Sequence, residues 1–140
     1  DALYLSCVHV LFDDMTRYLR SEINLSTVTV EQYFTVRMRF FRQHPLHRKL
    51  FSDLLLYPQN RLQQEIGKCR AEFDAFNNAA LQSVLQKEPL RSQLSMEEAL
   101  LQFRSFVHFL GIYIREDAAS DAEQKANDLL QTMLYGLLAR

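Results

Sequence analysis

Apolar residues recur along most of this chain at steps of three and four, the spacing that places them on one side of an α-helix. Tyr4, Val8, Leu11, Met15 and Tyr18 form the first such stripe, with Leu5, Phe12 and Leu19 beside it, and the pattern fades over residues 21–24. A connector rich in β-branched and hydroxyl residues occupies 25–29, and Thr29 with Gln32 has the spacing of a capping box. A second helix is therefore predicted to run to about Arg42. Pro45 suits the first turn of a short third helix, whose apolar side carries Leu46, Leu50, Phe51, Leu54 and Leu55 until Pro58 stops it. From Gln59 onward Leu62, Ile66, Cys69, Phe73, Phe76, Ala80 and Val84 predict the longest helix, with no breaker but Gly67.

Residues 86–94, holding Pro89, read as a polar linker, and Ser95 with Glu98 then starts a fifth helix through the same capping grammar. That grammar returns over 120–123 after a polar hinge at 115–119, so the chain is predicted to end as a helical hairpin. The fifth helix is apolar around about half its circumference. Phe103, Phe106, Leu110 and Ile114 form one stripe, and Leu101, Ser105, His108 and Ile112 form another on nearly the opposite side. Two partners are implied. The last helix carries Leu129, Met133 and Leu137 in its apolar set, and Gly136 permits close approach. A two-fold pairing of such hairpins makes a four-helix interface, predicting a homodimer through Leu101, Ser105, His108, Ile112, Leu129, Met133 and Leu137.

Composition agrees with long helices. Three Gly and three Pro serve 140 residues, good helix formers dominate, and no alternating strand pattern occurs, so the chain reads as one all-α domain of about six helices over 1–140. The net charge of −1 lacks the positive field that a nucleic-acid binder uses against phosphates. Cys7 and Cys69 lie among apolar neighbours and read as two reduced core thiols, which fits a cytoplasmic protein. The longest nearly apolar run, residues 106–114, contains His108 and is about half of what a membrane span needs, and no signal peptide is visible.

The helix order resembles the C-terminal regulatory domain of TetR-family transcriptional repressors: a helix opening Asp1, Ala2, Leu3, Tyr4, four further helices, and a capped hairpin ending in residues 129–138. The resemblance covers essentially the whole chain. In that family an acidic residue, a spacer and a Leu-aromatic pair head the helix leaving the DNA-binding domain, which Asp1, Leu3 and Tyr4 resemble, so the N-terminal helix-turn-helix domain is expected to be missing from this chain. The resemblance implies a bundle around an inducer pocket and a homodimer made by the last two helices. It further implies that the first helix relays pocket occupancy, with DNA reached only through the missing domain.

The residues support a pocket independently. Ten Phe and six Tyr concentrate on the middle helices, a lining suited to an apolar or anionic aromatic small molecule, although any single Phe is more often plain core. The candidate lining is Phe34, Met38, Phe41, Phe51, Leu55, Phe73, Phe76 and Phe106, with Arg37 as polar anchor. Arg37 stands out because Thr35, Arg39 and Arg42 share the other face of its helix, so its cation is aimed at the core among Tyr33, Val36, Phe40 and Phe41. A buried charge must be paired, by Glu72 or Asp74 or by a ligand's carboxylate or phenolate, unless the long side chain snorkels.

No catalytic, metal or cofactor site is predicted. His44 and His47 flank Pro45, too near a helix start for an i, i+4 ligand pair, and no Ser, Cys or Asp can be placed beside His108. Arg37, Arg39, Arg42, Arg48 and Lys49 spread around two helices and read as solvated surface apart from Arg37. Three classes are in play: a sensor domain, which predicts a closed internal cavity and a two-fold dimer, a helical protein-interaction module, which predicts an open groove, and a small helical enzyme or haem protein, which predicts a Soret band.

Overall fold

In the computed structural model, which describes residues 1–116 and 122–138, with side chains placed for 1–110 and 124–138, the chain is all α. Six helices follow in order: α1 Ala2–Glu22, α2 Val30–Gln43, α3 Pro45–Leu56, α4 Gln63–Gln86, α5 Met96–Glu116 and α6 Ala122–Leu137. A single 3-10 turn, Asn60–Leu62, leads into α4, and the described residues hold no strand.

The boundaries follow from local chemistry. At α2 the Gln32 amide donates to Thr29 Oγ1 at 3.1 Å and the Thr29 amide donates to Gln32 Oε1 at 3.0 Å, completing the predicted box. At α5 the Glu98 amide donates to Ser95 Oγ at 3.1 Å and the Ser95 amide to Glu98 Oε2 at 3.3 Å. These bonds satisfy amides that a helix start leaves without partners. Pro45 begins α3, where its missing N–H costs nothing. Ser120 and Asp121 of the second capping sequence, the side chain of Glu123 and residues 117–119 of the hinge lie outside the described residues.

Each helix buries its apolar stripe in one shared core. α1 contributes Val8, Leu11, Phe12, Met15 and Leu19, and it packs along α4 more extensively than any other pair of helices. α4 presents Ile66, Phe73, Ala80, Leu81, Val84 and Leu85; α5 presents Ala99, Phe103, Val107 and Leu110; α6 presents Ala126, Leu130, Leu134 and Leu137. Packed area of this kind, at roughly 25 cal/mol per Å² of apolar surface, is the main force holding the bundle.

Two loops are tied down by polar bonds. Near the end of α4, Ser83 Oγ donates to the Leu25 carbonyl, and Lys87 Nζ donates to the carbonyls of Leu25 at 3.2 Å and Val28 at 3.1 Å. The α4–α5 linker clasps the end of α6: Leu90 pairs with Leu138, the Arg91 amide donates to the Leu137 carbonyl at 3.3 Å, and Arg91 Nε donates to the Tyr135 carbonyl at 2.9 Å. Arg91 thereby caps carbonyls that a helix end leaves open.

One expectation needs correction. Cys7 is not a core thiol: it lies one residue before buried Val8, about 100° around the helix, and is exposed, while Cys69 is half-buried; both are free. Among the described residues no helix is long and apolar enough to cross a membrane.

Candidate functional site: an arginine enclosed by aromatic rings

Arg37 is inside because α2 has only one polar face. Thr35 and Arg42 are exposed and Arg39 is partly so, whereas Tyr33, Val36, Phe40 and Phe41 share the buried side with Arg37, which is only 3% exposed. Its Nη1 donates to Asn77 Oδ1 at 2.9 Å and to the Tyr33 hydroxyl at 3.2 Å. Tyr33 in turn donates its O–H to Asn77 Oδ1. Burial pushes the Tyr33 phenol above its usual range, with the nearby guanidinium opposing, so at neutral pH it stays protonated and keeps that donor role.

The acids expected to pair with Arg37 are engaged elsewhere. Glu72 accepts from Arg20 at 2.7 Å, and Asp74 holds Arg70 through two bonds at 2.9 and 3.2 Å. Asp74 lies one turn beyond Arg70 on the same helix, so the local pair forms within α4 and Asn77 is left facing Arg37. A buried cation thus meets neutral partners, with no carboxylate of the described residues paired to it, and its Nε and Nη2 have no hydrogen-bond partner.

Aromatic rings close around the guanidinium. Its carbon lies 5.9 Å from the Tyr33 ring centroid, 5.7 Å from Phe51 and 5.4 Å from Phe73, within cation–π range of all three. Phe12 packs on Phe73 at 5.5 Å and Phe41 on Phe51 at 5.2 Å, so the wall is continuous across α1, α2, α3 and α4. His108 of α5 lies 6.1 Å from Phe51. Its pKa is lowered to about 4, first by burial and then by Arg37, Arg70 and Arg104, with Asp74 opposing. His108 Nδ1 and Arg104 Nε are further buried nitrogens without a hydrogen-bond partner.

The candidate lining is only partly brought together. Arg37, Phe41, Phe51 and Phe73 meet at this site. Phe34 and Met38 instead edge a separate groove of about 240 Å³ with Thr35, Arg39 and Arg42 of α2 and Gln124 and Asn127 of α6. Phe76 is half-buried under Arg20, whose guanidinium carbon is 5.8 Å from its ring, and Leu55 and Phe106 are half-buried against the core. Sequence reasoning missed Asn77, Phe12 and Arg104. Asn77 was detectable: it sits four residues after Phe73 on the core side of α4, a polar residue on the face that the periodicity assigns to the core.

The expected interface residues divide as well. Leu101 is 61% exposed, Leu129 is 39% exposed, Ser105 is exposed and Met133 is partly so. His108 turns inward to Phe51, and Leu137 is fully buried in the chain's own core. The Ile112 side chain lies outside the described residues. Phe109 and Tyr135, exposed at 51% and 69%, were not anticipated.

At the start of α3, His47 Nε2 lies 3.0 Å from Asp14 Oδ2 and stacks on His44. Beside it an apolar groove of about 660 Å³ opens between α1 and α3, lined by Leu3, Tyr4, Val10, Leu46 and Leu50. Among the described residues no three His, Cys, Asp or Glu side chains gather as a metal site would require. No known protein family, curated protein or solved structure matches this chain.

Proposed function

We propose that this chain is the effector-binding and homodimerisation domain of a TetR-like transcriptional repressor, and that it binds an apolar or aromatic small molecule in the bundle interior. The observation that carries the reading is Arg37: a buried guanidinium, wrapped by Tyr33, Phe51 and Phe73, with two nitrogens unsatisfied and only neutral groups on the third. Purely structural buried charges are paired, and unsatisfied buried donors concentrate where a ligand completes them. The order of the helices supports the family assignment, and exposed Leu101, Phe109, Leu129 and Tyr135 on the last two helices support a second copy as partner. DNA contact belongs to a helix-turn-helix domain outside this chain, in the cytoplasm. Native mass spectrometry of protein purified gently from its host is the test. A dimer carrying a small organic mass per protomer is expected, and a bare monomer overturns the reading.

The open groove between α1 and α3 favours a second reading, a helical protein-interaction module. Leu3 and Leu46 on its rim are 79% and 81% exposed. A Leu46→Asp variant that keeps small-molecule binding but loses a protein partner would place the function there.

A further inference from the structure

We infer that the interior site is built for a carboxylate carried on an apolar body, with the Nε–Nη2 edge of Arg37 as its seat. The inference rests on the reading that the interior takes a ligand, and it names that ligand's chemistry.

The geometry of the guanidinium carries the argument. Nη1 has two N–H bonds, and both are committed, one to Asn77 Oδ1 and one to the Tyr33 hydroxyl. What remains free is Nε and Nη2. These two nitrogens present parallel N–H bonds along one edge, the fork that matches the two oxygens of a carboxylate. Asn77 and Tyr33 therefore orient the group from behind and leave its other edge buried without a protein partner, so a carboxylate reaches it only as the surrounding rings move apart.

Charge points the same way. A guanidinium cannot shed its proton to escape burial, and neutral Asn and Tyr oxygens cannot balance it. The surrounding field is positive, since His108 senses Arg37, Arg70 and Arg104 against a single carboxylate, Asp74, which Arg70 already holds. Arg104 and His108 lie one turn apart on α5, each with a buried nitrogen lacking a partner, and His108 packs near Phe51 of the same aromatic wall.

The rings select among anions. Phe51, Phe73 and Tyr33 pack against the cation and leave little water to solvate a doubly charged group, whose burial costs several times that of a single charge. A monoanionic carboxylate with an aromatic or aliphatic body satisfies the fork and the rings together, whereas a phosphate monoester satisfies only the fork.

The test uses the whole chain, freed of any co-purified ligand, in calorimetric and thermal-shift titrations. The probes are 2-naphthoate and decanoate, their neutral amides, and naphthyl phosphate. Both acids are expected to raise the unfolding temperature of the wild type and the amides are not. Arg37→Met should weaken acid binding by roughly ten- to a hundredfold, the value of one charge-assisted contact. Arg37→Lys, which keeps the charge and loses the fork, should fall between, and it serves as the readout if Arg37→Met fails to fold. Equal binding of acids and amides, unaffected by Arg37→Met, overturns the carboxylate assignment and leaves the interior-ligand reading standing. A preference for naphthyl phosphate over both acids also overturns it. Binding of neither acids nor amides overturns both.

Discussion

Replacing Arg37 by methionine should make the ligand-free protein more stable. Methionine is similar in length and keeps contact with Phe51 and Phe73, while removing two buried nitrogens that have no partner, a relief of roughly 1–3 kcal/mol for each. Against this stand the two Nη1 hydrogen bonds and the cation–π contacts, together about 3 kcal/mol. Asn77 Oδ1 is not orphaned by the change, because the Tyr33 hydroxyl still donates to it. The balance spans about −1 to +3 kcal/mol and centres near 1 kcal/mol in favour of Arg37→Met, in line with the replacement of other buried charges by apolar side chains. For a chain of this size the central value is a rise of roughly 3–4 °C in Tm, measurable by calorimetry and by urea unfolding on dialysed protein. Asn77→Ala provides the contrast. It strips the acceptor from both Tyr33 and Arg37 while the charge stays buried, and should cost about 2–5 kcal/mol. If Arg37→Met were instead less stable than the wild type by more than about 1 kcal/mol, the arginine would be a structural element, and the case for an unpartnered recognition edge would collapse.

Acid should expose His108. Its folded pKa of about 4 lies below the ordinary 6.5, so between those values the unfolded chain binds a proton that the folded one refuses. Stability from this residue is full above about pH 6.5 and is lost as pH falls toward 4, by about 2 kcal/mol after allowance for partial solvent access; the wild type should show that slope relative to His108→Gln, and parallel curves would refute it. Leu101→Glu, at a position 61% exposed, should leave helix content unchanged and convert a dimer to monomer in sedimentation velocity; an unchanged dimer mass rejects this face as the seam. Ser95→Ala should lower stability by about 1 kcal/mol through loss of the α5 cap, which urea unfolding would detect, and no change would show that the Glu98 bond is dispensable.

The helices were legible because their signals are local. Thr29 with Gln32, Pro45, and Ser95 with Glu98 act within a single turn, so each boundary could be read without knowing what the helix packs against. The burial of Arg37 was legible for the same reason, since a wheel shows which residues share its side. Its partner was not. Glu72 and Asp74 seemed the natural acids, yet each is captured by an arginine whose reach depends on the packing of α1 on α4, or on side-chain choice within α4. Asn77 carries no charge to mark it, and only the crossing of α2 and α4 brings it to the guanidinium. His108 was placed on a second stripe of α5, and Leu137 in the apolar set of α6, by periodicity. Periodicity says that a face is apolar, but it does not say whether another helix of the same chain already covers it. For His108 that cover includes Phe51 of α3, and Leu137 is fully buried in the chain's own core.

The two clasps described for the loops give α4 a mechanical role beyond packing. At 24 residues it is a rod roughly 36 Å long, with Asn77 past its midpoint and Ser83 and Lys87 at its far end gripping the turn between α1 and α2. The linker that leaves this same end is fastened to the last turn of α6 by Arg91. A rod pinned in this way carries two tethers at one end. The Leu25–Val28 turn and the terminus of α6, more than a hundred residues apart in the chain, are thereby tied to the same end of one helix.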